Sequence, residues 1–164
     1  MRTVIHDRLM DSEAPDVTGL LDGSTVDLVP LEGGRGPRGA ERRMDYLSEH
    51  SFVLALDNEQ VVGALAFVSR EEAAYVTAIA MREGVDREQV LAAMFDRLDT
   101  VLVSEAGRST LCVGVWSTHR EMRDLMARTG FSLFSFDLDC EEEGVDAMIF
   151  HRRRGAPQEE LAAH

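Results

Sequence analysis

Residues Val113 to Phe131, VGVWSTHREMRDLMARTGF, constrain the chain more than any other stretch. An apolar strand pattern runs into a polar turn and then into a helix that stops at Gly130-Phe131. Thr118-His119-Arg120-Glu121 reads as a capping box, in which the Thr118 hydroxyl accepts from the backbone N–H three residues on and Glu121 reaches back. Met122, Leu125 and Met126 repeat at helical spacing, and Gly130 suits the left-handed position just past a helix end. The stretch is therefore a strand–helix unit closed by an aromatic.

The rest of the chain supplies its neighbours, with no internal repeat. Residues 1–10 alternate loosely enough for a first strand, and 12–30 are partly helical, broken by Gly23 and Pro30. The Gly-rich stretch 31–40 is a loop by composition, and 40–50 reads as a short polar helix. Ser51–Leu56 and Val61–Val68 form a hairpin about the turn residues 57–60. Ala73–Met81 is a third strand pattern. A helix from about Glu88 to Gly107 carries Val90, Leu91, Met94, Phe95, Leu98 and Leu102 on one face. Two late strands, Leu133–Leu138 and Ala147–His151, flank the acidic turn 140–144. This order predicts an α/β fold, an α+β sandwich with one mixed central sheet flanked by helices. Residues 1–50 form the N-terminal part of that single domain, 51–154 its core, and 155–164 a flexible tail.

With 164 residues and 45% hydrophobic content the chain suffices for one cored domain and not for two. No apolar run approaches the roughly 20 residues that span a bilayer, and the first residues lack a signal-like apolar segment, so a cytoplasmic location is expected. Cys112 falls in an apolar strand pattern and reads as a buried free thiol. Nothing demands a disulfide or a metal site. The net charge of −13 disfavours nucleic acid and anionic membranes as partners. It suits a cationic small-molecule substrate such as an amine and leaves room for a homodimer. All 17 basic residues are arginine.

The order of elements over Ser51–Arg152 resembles the GNAT superfamily of N-acetyltransferases. Val62-Gly63 after Asp57-Asn58 is similar to the family's second and third strands, and Gly130-Phe131 to the end of the helix after the fifth. Ile79-Ala80-Met81 sits where the family's fourth strand splays from its neighbour and offers peptide groups to the donor. The resemblance implies an acyl-CoA-dependent N-acetyltransferase acting on a small amine, with acetyl-CoA as cofactor. It places the cofactor's phosphates at the helix start Arg87-Glu88-Gln89-Val90-Leu91, where backbone N–H groups and the helix dipole hold anions.

That helix start departs from the family's pattern. Both loop glycines are replaced, by Gln89 and Leu91, and Asp86 stands where Arg or Gln is expected. Asp86 followed three residues later by Gln89 is instead a protein-internal N-cap. Its carboxylate takes N–H groups a phosphate would use, while Arg82 and Arg87 restore positive potential and Gly84 supplies a displaced turn. The family's tyrosine acid position is Met126, which has no proton to give. Candidates to replace it are His119, where the family usually has Asn, and Tyr75; Glu72 is a candidate base. For each the plain alternative is structural: a helix-start histidine, a strand aromatic, a solvated edge. Arg152-Arg153-Arg154 reads as a solvated terminus, and Trp116 as cleft lining or core. The departures leave open a second reading, a GNAT-like protein that has lost CoA and serves as a ligand- or partner-binding module or performs another reaction.

Overall fold

Asn58 and Glu59, at φ 48° and 63°, reverse the chain in two residues between strands β2 (Ser51–Asp57) and β3 (Gln60–Arg70). Two successive positive φ values give a turn whose twist matches that of the strands it joins. This hairpin starts the sheet in the computed structural model, which describes residues 1–6, 14–24, 26, 28–29, 50–70, 73–142 and 145–155. The remaining described elements are β1 (Arg2–His6), α1 (Ala14–Ser24), β4 (Ala73–Met81), α2 (Arg87–Ala106), β5 (Arg108–Trp116), α3 (Arg120–Arg128), β6 (Ser132–Glu142) and β7 (Val145–Gly155). The expected loop over 31–40, helix over 40–49 and tail beyond 155 lie outside the described residues.

The seven strands form one sheet in the order β1-β2-β3-β4-β5-β7-β6. Every neighbouring pair is antiparallel except β4–β5. On one face lie the apolar stripes of α2 and α3, from Val90 to Leu102 and Met122 to Met126. Against the other, over β2–β4, pack Val17, Leu20 and Leu21 of α1. The α/β sandwich expected from element order is the fold observed. Helix α2 presses closely on β3: a Cβ on Gly63 would lie 2.6 Å from Val90 Cγ1. Glycine at this position is what lets the helix sit so close to the strand.

Helix α2 ends at Gly107, left-handed at φ 74°, whose N–H donates to the Val103 carbonyl. Within its apolar stripe stands Asp99, only 3% exposed. Asp99 Oδ2 lies 2.6 Å from an Arg152 nitrogen on β7, and Ser109 of β5 donates to Oδ1. Arg152, 5% exposed, also donates to the Thr129 carbonyl at 2.7 Å. Its guanidinium sits 5.5 and 5.2 Å from the ring centres of Phe95 and Phe131. The expected solvated arginine run is therefore corrected at Arg152, which ties α2, β5, β7 and the end of α3 together. A guanidinium can be buried here because a carboxylate, a carbonyl and two rings share its charge.

Two stability predictions follow from these contacts. Asp99→Ala leaves Arg152 buried beside empty space and is expected to cost about 3–5 kcal/mol in urea unfolding. Asp96→Ala, on the exposed carboxylate 3.2 Å from Arg152, is expected to cost no more than about 1 kcal/mol. At His151, burial first and the charge of Arg153 second lower the imidazole's pKa below its ordinary 6.5. The unfolded chain then binds this proton more readily than the folded one. Stability from this group is full above about pH 6.5 and declines as pH falls toward the lowered folded value. His151→Phe should flatten that part of the stability–pH curve.

Candidate active site

Strands β4 and β5 pair at only three positions, Ala73↔Thr110, Ala74↔Leu111 and Tyr75↔Cys112. Directly beyond, β3 residues Phe67 and Ala66 face Val76 and Ala78, so Thr77 is an extra residue in β4. Such a bulge bends and twists its strand, and β4 leaves β5 there. The expected V-shaped opening between the strand ending at Met81 and the strand through Leu111 is present. Arg82 N–H donates to the Val62 carbonyl at 2.8 Å, which sets the alternation of the β3–β4 ladder. Ala80, opposite Ala64, is thereby turned toward β3, while the peptide groups of Ile79 and Met81 face the gap.

The gap is crossed by a segment the sequence did not reveal. Val26 N–H donates to the Ile79 carbonyl at 2.8 Å and Val29 N–H to the Gly114 carbonyl at 3.0 Å. Leu28 between them makes an antiparallel bridge to Val115. Past this strap, toward the ends of the strands, lies a cavity of about 620 Å³. Met81, Arg82, Glu83, Gly84, Arg87, His119 and Glu121 are among its walls. Gly84, at φ 83°, makes the left-handed turn that carries the chain from β4 to α2.

The start of α2 is capped from within. Asp86 Oδ1 accepts the Gln89 N–H at 3.0 Å, as its spacing predicts. Of the residues expected to meet a cofactor at this helix start, Arg87 alone brings its side chain to the cavity. Val90 and Leu91 are buried in the core, and Glu88 pairs with Arg128 at 2.8 Å. Arg87 Nε lies 3.4 Å from Glu121 Oε1, an ion pair without a hydrogen bond. Arg82 donates to Gln60 at 3.1 Å.

The capping box on the other helix is shifted by one residue. His119, and not Thr118, caps α3: its Nδ1 accepts the Met122 N–H at 3.2 Å. A turn closed by the His119 N–H on the Trp116 carbonyl at 2.9 Å leaves Thr118 exposed, and Glu121 faces Arg87 instead of reaching back. With its Nδ1 lone pair engaged, a neutral His119 carries its proton on Nε2 and presents a donor. Met126 is fully buried in the core. Tyr75 sits opposite Cys112 at the closed end of the splay, six residues and so about 20 Å along β4 from Met81. The structure does not bring it to the cavity. Glu72 lies outside the described residues. Cys112 is buried and its thiol is pushed up to about 11, chiefly by desolvation, which makes it inert. Half-buried Trp116 is not among the cavity's wall residues. Among the described residues no cluster of ligands could hold a metal, and no helix is long and apolar enough to cross a membrane.

A seven-stranded sheet parting after a bulge in its fourth strand, beside a helix-start cavity, is an architecture with solved counterparts. The structure of the ribosomal-protein-S18-alanine N-acetyltransferase from Escherichia coli matches with a TM-score of 0.69 at 14% identity, over 99% of this chain and 100% of that one. The aminoglycoside 6'-N-acetyltransferase from Enterococcus faecium matches at 0.69 and 11% identity, over 93% and 97%. A GNAT-family acetyltransferase from Streptococcus pneumoniae matches at 0.65 and 13%, over 94% and 100%. No family model matches the chain, and no curated protein does. The chain has the fold of the GNAT superfamily of N-acetyltransferases.

The internal cap generates a direct prediction. Asp86→Ala releases the Gln89 N–H and removes one negative charge from the helix start. If this helix start receives CoA phosphates, CoA affinity measured by calorimetry should rise, on the order of tenfold for one partly screened charge. Stability should fall by about 0.5–2 kcal/mol with the lost cap. Unchanged affinity would mean that this carboxylate is no obstacle to the phosphates.

Proposed function

We propose that the protein is an acyl-CoA-dependent N-acetyltransferase acting on a small amine. One observation carries the reading: the splay after Tyr75 turns the peptide edge of β4 at Met81 toward a cavity walled by Arg82, Arg87 and His119, past the strap that takes the Ile79 carbonyl. The residues present fit the donor, though not in the family's usual manner. The Arg87 guanidinium stands on the cavity wall with its Nε ion-paired to Glu121 at 3.4 Å, and Arg82 adds a second guanidinium. These side chains would meet the phosphates, while Asp86 holds a peptide N–H that a glycine-rich loop would leave free.

Bound acetyl-CoA supplies a thioester carbonyl open to attack by an amine. The chain's own part is to position and to stabilise charge. Peptide N–H groups on the gap side of β4 donate to an oxygen that gains charge, which is worth most where water is excluded. His119 donates from Nε2 and holds a polar atom at the cavity mouth. Glu83 on the wall lowers the local potential for a protonated amine and receives its proton through water. Holding donor and amine together supplies much of the rate. The chain's acidic charge draws cationic amines toward the site.

The capped helix start favours a second reading, a GNAT fold that no longer uses CoA. Calorimetry with acetyl-CoA, followed by thiol release with a panel of small amines, separates the two. The first reading expects weak binding and measurable turnover; no binding and no turnover would sink it. His119→Ser retains a capping oxygen and removes the Nε2 donor. It should keep near-native stability while lowering turnover by roughly tenfold, the scale of one hydrogen bond. Full activity in this variant would remove His119 from the mechanism and leave the enzyme class standing.

A further inference from the structure

We propose that the outer edge of β6 is a self-association surface, on which a second copy of this chain pairs antiparallel about a two-fold axis near Ser135. Apart from Met1, the exposed large hydrophobic residues among those described are Leu133, Phe134 and Phe136, at 42, 62 and 55% exposure. All three fall within four positions of one strand, and that strand ends the sheet. An end strand offers a row of unpaired peptide groups and is ordinarily protected by charge when nothing covers it. Here the stretch Ser132–Phe136 carries no charge, in a chain where 29% of residues are charged.

The apolar strip covers both faces of the edge. Leu133 stands opposite Phe150 and Phe136 opposite Met148, so both lie on the face that carries α2 and α3. Phe134 is the extra residue between Leu133 and Ser135, and its ring stacks on His151 at 4.0 Å and 10°. Burying only one face of the sheet would leave part of this strip wet. An added strand with the same pattern covers both.

The sequence around the strip selects a second copy as the occupant. In sequence, Asp137, Asp139, Glu141 and Glu142 follow the strip, so carboxylates crowd one end and none stands within it. An antiparallel two-fold about Ser135 sets Phe134 against Phe136 of the other copy. It holds the acidic ends of the two β6 strands apart, at opposite ends of the pair. Two chains of charge −13 repel almost everywhere else. This uncharged strip, with its acidic ends kept apart, is where they can meet, as in strand addition to an open edge.

Sedimentation velocity over about 1–200 µM tests the inference, a range that covers the affinities of small interfaces. The wild type should pass from monomer to dimer with rising concentration. Phe134→Asp/Phe136→Asp, both exposed positions, should stay monomeric with an unchanged circular dichroism spectrum. In a Cys140→Ser background, Ser135→Cys should form an intermolecular disulfide on mild oxidation, since residues facing across an antiparallel pair are about 4.5–5.5 Å apart at Cα. A wild type that is monomeric throughout overturns the proposal, as does a dimer that survives both aspartates or that gives no cross-link at position 135.

Discussion

The parting of β4 from β5 is the constraint around which the rest of the molecule is arranged. A continuous sheet would have satisfied every peptide group of both strands and left no cavity. The extra residue Thr77 twists β4 away after three paired positions, so the peptide groups of Ile79 and Met81 need other partners. Val26 supplies part of that need from the N-terminal region, Val29 does the same for Gly114 on β5, and the space beyond them becomes the cavity. The helices that close it are held by contacts remote from it. Gly63 admits α2 against β3, and the buried Asp99–Arg152 pair fixes α2 to β7 and to the end of α3.

Much of this was legible from residue order. Asn58 and Glu59 in a short polar break announced the hairpin, and Gly107 and Gly130 marked helix ends that are left-handed in the structure. Asp86 three residues before Gln89 announced the cap that now occupies a phosphate-type N–H. These features are local, and local chemistry is what a single sequence displays. The strap through Val26, Leu28 and Val29 had no such signature, because its partners lie on β4 and β5 and three aliphatic residues in a short segment point to no particular neighbour. Asp99 did carry a signal, a lone carboxylate inside the stripe Phe95, Leu98, Leu102. Its partner Arg152 was hidden among three consecutive arginines. The cap of α3 went to His119 because the turn from Trp116 shifts the helix start by one residue.

Charge is distributed so that a single acidic chain can present opposite characters at different places. On the cavity wall Arg82 and Arg87 face Glu83 and Glu121, a nearly balanced set suited to a ligand carrying both signs. Arg152 is withdrawn from solvent and spent on architecture. On the far edge, β6 opens with an uncharged run.

The strap also bears on the order in which the molecule is assembled. Its hydrogen bonds join positions more than 50 and more than 80 residues apart along the chain. Contacts of such long range form only after the intervening hairpin, β4, α2 and β5 have found their places, since closing large loops costs entropy before it returns any contact. Among the described residues the cleft is bridged by few bonds, all of them long-range. The same few bonds make it the part of the core most easily opened without unfolding the remainder. The opening in the sheet is spanned by contacts that close large loops of chain.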